Sequence, residues 1–310
     1  MWAKATFALP ARVKNGPSVQ PVAMLSKDKA LMVTSYAMRP IFFAYDRRTG
    51  RHQALATAPK WGECNLCYEI MSAAMNETQI AWTAGIYRSE PGNPGKRHME
   101  LWIMPRSGGQ MRMVTWLTGP GDIPWGDELT ITGDHAIWRS EDDTYRVPLA
   151  GGHPEKINPP AEPRPVKPDP EVRNFRCDVE WCVGRIRPRP DEVTTLVVQR
   201  RDGSGRATIA ASSSERPLIG DRFGLFDPPY VYAGNSVHIS TNDLGSNAVV
   251  YDRCTGKTAQ VGAPQEDEGS AQVLQGATSP QEPILFWPTQ SEKQYIVLDL
   301  SRISDQPCRN

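Results

Sequence analysis

The chain has 310 residues, 39% of them hydrophobic, with 28 Pro and 25 Gly scattered rather than clustered. Lys plus Arg and Asp plus Glu are equal at 35 each, so nothing in the charge balance points to nucleic acid or an anionic membrane. No apolar run approaches the roughly 20 residues that cross a bilayer as a helix, so no membrane span is expected.

The first residues, MWAKATFALPARVKNG, lack the basic start, apolar stretch and small-residue cleavage site of a secretory signal. That suits a cytoplasmic protein or a mature exported or cell-surface chain given a starting Met. From residue 21 onward the sequence reads as groups of short apolar strands. The first group covers residues 21–58, the second 68–117 and the third 128–158, each with four strands. A fourth covers 173–212 and a fifth about 230–262, while the last, 272–300, has only three: AQVLQGAT, PILFWPT and QYIVLDL.

One phrase organises these groups. FAYDRRTGRHQAL, a strand, a polar turn with Gly and a second strand, returns as VVYDRCTGKTAQV, and more loosely as LWIMPRSGGQMRMV, TYRVPLAGGHPEKI and LVVQRRDGSGRATI. The turn glycines Gly50, Gly109, Gly152, Gly205 and Gly256 are 59, 43, 53 and 51 residues apart, the length of one four-stranded propeller blade plus loops. A second landmark, a turn and an apolar strand, ends at Trp82, Trp138, Trp181 and Trp287, which are expected to pack between blades. The prediction is an all-β, six-bladed β-propeller, a single domain over residues 1–310. Residues 5–13 supply the missing outer strand of the last blade, closing the ring and removing exposed edges.

Such a ring sorts its loops onto two faces. Turns between the two inner strands and between the two outer strands are short and regular: NET, GDH, RRTG, RSGG. Crossings between blades and the middle loops are long and irregular, and loops on a rigid scaffold are where binding and chemistry concentrate. On that face two crossings share a Trp-Gly followed by an acid: Trp61, Gly62, Glu63 and Trp125, Gly126, Asp127, Glu128. Asp221 and Arg222 are expected in the crossing before blade five, Glu266, Asp267 and Glu268 in the next, and Arg139 near the same rim. Gathered at one channel mouth they would hold a polar, partly cationic or sugar-like ligand. Packing is the commoner role of a Trp-Gly at a crossing, and a solvated rim the commoner role of surface carboxylates.

The six cysteines suit three neighbouring pairs, although six allow fifteen connectivities. In the propeller layout Cys177 and Cys182 face each other across an inner hairpin, and Cys308 follows the last strand on the side of Cys254. Cys64 and Cys67 form a CxxC in a crossing loop, where a small structural disulfide is favoured over redox chemistry or half a zinc site. None of His52, His98, His135, His153 and His238 is spaced to complete a zinc site, so no metal is expected, and no cofactor is implied. There is no nucleophile elbow, phosphate-binding loop or HExxH. RIRPRP at residues 185–190 is the nearest approach to a basic stripe and is too short for nucleic acid.

YDRRTG, YDRCTG, LWIMPRSGG, YRVPLAGG and CDVEWC resemble the six-bladed TolB-like propellers, particularly those of actinobacteria. The resemblance spans nearly the whole chain and implies the fold and an exported setting, with no family catalytic residue that maps onto a position here. Two functions follow as expectations. The first is a monomeric binding module for a small polar ligand or partner protein at the loop face. The second is a lyase, cyclase or hydrolase at the same mouth, with Glu63, Asp127 or Glu128 in acid-base roles and Arg139 or Arg222 holding an anionic group.

Overall fold

The structure, a computed structural model, describes residues 2–34, 39–58, 68–90, 93–116, 129–140, 143–158, 165, 169–177, 180–187, 189, 192–213, 218–233, 237–240, 248–262, 273–277, 283–289, 291–303 and 308. The first strand, β1 (Thr6–Pro10), belongs to the last blade. Blade one holds β2 (Val19–Ser26), β3 (Lys29–Thr34), β4 (Ile41–Asp46) and β5 (Arg51–Thr57). Blade two holds β6 (Tyr68–Met75), β7 (Gln79–Glu90), β8 (Asn93–Pro105) and β9 (Arg112–Trp116). Blade three is smaller, with β10 (Thr130–Thr132), β11 (His135–Ser140), β12 (Asp143–Pro148) and β13 (Glu155–Ile157). Blade four holds β14 (Val172–Cys177), β15 (Trp181–Ile186), β16 (Thr195–Arg200) and β17 (Ala207–Ala210).

Blade five is a sheet of β18 (Phe223–Phe226), β21 (Ala248–Asp252) and β22 (Lys257–Val261), entered through a bridge of Ile219 to Phe223, with a separate hairpin, β19 (Tyr230–Ala233) and β20 (Val237–Ser240), inserted between β18 and β21. Blade six is β23 (Leu274–Gln275), β24 (Ile284–Pro288) and β25 (Gln294–Asp299), completed by β1. The closure runs antiparallel from Thr6 opposite Leu298 to Pro10 opposite Gln294. The ring is therefore fastened by its two chain ends, as the strand count predicts.

A single hydrogen bond recurs in every blade and fixes the register of the six units. The residue after the third strand donates its N–H to the turn between the first two. The pairs are Arg47 to Asp28, Arg106 to Thr78, Leu149 to Asp134, Arg201 to Glu180, Arg253 to Arg222 and Leu300 to Pro283, at 2.7–3.1 Å. This corrects the expected start of blade five. Its inner turn is Gly220–Arg222, bridged by Ile219 and Phe223, rather than part of a crossing that ends near residue 229. IGDRFGLF repeats the turn-and-strand pattern of TGDHAIW, with Gly220 and Gly133 both at positive φ. The alternating YVYA and VHIS of the inserted hairpin read as blade strands because the period-two signal does not say which sheet a strand joins.

The third strand of the phrase is buried and the fourth is not. AVVYD in β21 is buried at all five positions, whereas β5 is mostly exposed, as an outer edge should be. Apolar clusters then knit blade to blade. Trp82 packs with Phe42 and Trp102 between blades one and two, Trp138 with Leu101 and Val147 between two and three. Trp181 packs with Val249 and Tyr251 between four and five, and Trp287 with Val250 and Leu285 between five and six. Leu9 of the closing strand is fully buried against Met32 and Phe286, and removing such a side chain from water contributes about 1.5–3 kcal/mol.

Candidate functional site

Because the strands of each blade are antiparallel, the inner and outer turns share one face, and the crossings and middle connections share the other. Several residues expected at a ligand rim, Trp61, Glu63, Trp125, Asp127 and Glu128, lie outside the described residues, as do Cys64, Cys67 and Glu266 to Glu268. Arg139 is placed by its backbone opposite Thr144, one residue from the loop-face end of β11. Asp221 and Arg222 are elsewhere: the inner turn of blade five puts them on the short-turn face, away from the crossings. Among the described residues no group of three or more His, Cys, Asp or Glu converges as a metal site. No helix among them is long and apolar enough to cross a membrane.

Arg222 is built into the framework. Its Nε and an Nη donate to the two carboxylate oxygens of Asp252 at 2.8 and 3.0 Å, and the same Nη also donates to the Ile303 carbonyl at 3.2 Å. Asp252, the aspartate of YDRCTG, is fully buried and also accepts from the Cys254 N–H and the Thr255 hydroxyl at 3.0 Å. Burial alone would raise its pKa, but the Arg222 hydrogen bond and charge, with Thr255 and the Cys254 amide, hold it below the usual carboxylate range. Asp46 of YDRRTG plays the local half of this role, capping the Arg48 and Thr49 amides at 2.9 and 3.1 Å, but is only half-buried and has no such arginine among the described residues. Beside this pair, the Cys254–Cys308 disulfide ties the chain end to the outer turn of blade five, and Cys177–Cys182 closes the inner hairpin of blade four. The Arg253 guanidinium stacks on Trp181 at 4.1 Å, across the seam between those blades.

The opposite end of the same seam has a different chemistry. The inserted hairpin leans onto blade four: Val193 pairs with Val231, the Thr194 N–H donates to the Tyr230 carbonyl at 2.9 Å, and the Tyr230 N–H donates to the Thr194 hydroxyl at 3.0 Å. This holds the Tyr230 hydroxyl 2.6 Å from an Nη of Arg185, which donates to it. Arg185 lies directly opposite Arg173 in the β14–β15 pairing, so two guanidinium stems leave the same side of the sheet. Arg187 follows two residues on, its N–H bonded to the Glu171 carbonyl, and both Arg173 and Arg187 are exposed. None of the three has a carboxylate partner among the described residues, and the buried Nε of Arg185 has no acceptor. Like charges directly opposed on a sheet cost about 0.2–1 kcal/mol.

Sequence reasoning missed this corner. The available signal was the spacing of Arg185, Arg187 and Arg189 in RIRPRP: alternate residues of a strand share a face, so the run concentrates charge on one side of a rim. Tyr230 could not be paired with it from sequence, because 45 residues separate it from Arg185.

The architecture defines the molecule as a six-bladed β-propeller. No protein-family model and no curated protein matches its sequence. Among solved structures it is similar to one described as a nidogen/laminin complex, with 11% identity over 88% of this chain and 90% of that one, TM-score 0.42. An oligogalacturonate lyase in complex with manganese matches at 10% identity over 88% and 73%, TM-score 0.40. TolB from Acinetobacter baumannii matches at 12% identity over 94% of this chain, which spans 55% of that one, TM-score 0.30. Likeness this distant carries no argument about what the chain does, and propellers host many unrelated functions.

Proposed function

We propose that the protein is a non-catalytic binding module that receives a small polar ligand on its loop face, at the rim between blades four and five. The observation that supports this reading is the docked hairpin: β19 bridges to blade four and sets Tyr230 on Arg185, which fixes a polar corner on the loop face. A mobile loop would not hold hydrogen-bonding groups in register this way, and preorganised polar groups are what a ligand site requires. The two disulfides support an exported or cell-surface setting, since such bridges persist in oxidising compartments.

Hydrogen-exchange mapping against a panel of small polar compounds tests the reading. A bound compound is expected to slow exchange in residues 186–195 and 226–233 and to leave the turns at 46–50 and 252–256 unchanged. Protection confined to those turns, or no compound retained, would overturn it. The enzyme alternative predicts instead a compound consumed by the protein and spared by Glu63→Gln, Asp127→Asn or Glu128→Gln.

A further inference from the structure

We infer that the ligand carries an oxyanion, a carboxylate or phosphate group, and that Arg173, Arg185 and Arg187 with Tyr230 are the groups that receive it; this rests on the binding reading above. Three features of the corner converge. The first is the direct opposition of Arg173 and Arg185, two cations placed where a sheet would ordinarily set unlike or neutral partners. Arg187 extends the same row beyond the end of β15, and Glu171, whose carbonyl accepts its N–H, forms no ion pair with any described residue. Among the described residues, then, no carboxylate pairs with these three guanidinium groups.

The second feature is the state of Arg185. Its guanidinium is half-buried and held by Tyr230 at 2.6 Å, with the ring centroid 5.8 Å from its central carbon, yet its buried Nε has no acceptor among the described residues. A guanidinium presents five donors in a fixed fork, and a planar carboxylate or a phosphate face satisfies two of them at once. Contrast within the same molecule supplies the third. Arg222 shows how this chain satisfies an arginine it uses as framework, with a bidentate carboxylate and a carbonyl. The corner offers the equivalent donors and withholds the carboxylate, as a site does when the ligand brings it.

Inorganic phosphate and succinate are the probes, each against sodium chloride at matched ionic strength, read by thermal shift and by calorimetric titration of the full chain. The expected result is saturable stabilisation by at least one probe beyond chloride, weakened at least tenfold in Arg173→Gln and in Arg185→Gln. Arg185→Lys, which keeps the charge and loses the fork, is expected between wild type and Arg185→Gln. Whether phosphate or succinate saturates tells which oxyanion the corner prefers. Stabilisation no greater than chloride's, or affinity unchanged in both glutamine variants, would overturn the inference. A neutral sugar that protects the loop face equally in wild type and Arg173→Gln would overturn it too, while leaving the binding reading standing. Absence of any loop-face ligand would bring down both.

Discussion

The two ends of the seam between blades four and five use the same side chain in opposite ways. At the short-turn end Arg222 is buried, gripped by both oxygens of Asp252, and flanked by the disulfide that fastens the chain end. At the loop end Arg173 and Arg185 face each other with no carboxylate partner among the described residues, and an inserted hairpin holds a tyrosine to one of them. Binding groups concentrate on loops held by a rigid scaffold, and under the proposed function this difference separates the scaffold end from the binding end. On the proposed reading, the paired arginine belongs to stability and the opposed pair to recognition.

The largest expected effect comes from breaking the satisfied end. Asp252→Asn leaves the buried Arg222 guanidinium with half its partner, and denaturant unfolding is expected to show a loss of about 3–5 kcal/mol, the range for halving a buried ion pair. Asp46→Asn, at the half-buried matching position of the first phrase, removes a turn cap alone and is expected to cost about 1 kcal/mol. Acid probes the same contrast. The folded-state pKa of Asp252 is depressed, so its contribution is fully present above the ordinary carboxylate pKa, near 3.9, and is lost as pH falls through the depressed value. Stability measured against pH in that window should therefore fall less steeply in Asp252→Asn than in the native chain. An identical slope would remove Asp252 from the account.

Next in size is the tether. Cys254→Ser with Cys308→Ser opens a loop closed over 54 residues, for which about 2–4 kcal/mol of destabilisation is typical. Loss of affinity for phosphate or succinate in this double variant, with the fold retained, would contradict the separation of the two ends, because the bridge lies on the face away from Arg173.

How much of this was readable beforehand differs between the same two ends. The short-turn face was legible because its chemistry is local: Asp46 and Asp252 cap turns two and three residues away, and Cys177 and Cys182 are paired residues of one hairpin. Six blades and the closing strand followed from period and strand count, which the phrase and the tryptophans carry directly. The loop corner was not legible, because it is made by an insertion folding back across a seam: Val231 finds Val193, and Tyr230 finds Arg185, through contacts with no periodicity of their own. The same insertion displaced the expected start of blade five and so put Asp221 and Arg222 on the wrong face. A turn read one hairpin late changes a framework ion pair into an imagined ligand contact.

The smallest effect has the most telling sign. Arg173 is exposed on an innermost strand, and its Gln variant removes a like-charge opposition without opening a cavity or orphaning a buried group. Ligand-free Arg173→Gln is therefore expected to be more stable than the native chain, by about 0.2–1 kcal/mol in denaturant unfolding at low salt. Added sodium chloride should screen the opposition and bring the two proteins together, since charges at an exposed rim are attenuated over about 10 Å at 0.1 M salt. A residue whose removal stabilises the empty protein is being kept for something other than folding. If Arg173→Gln instead destabilises the chain, and does so equally at every salt concentration, the pair is framework like Arg222 and the distinction between the two ends fails.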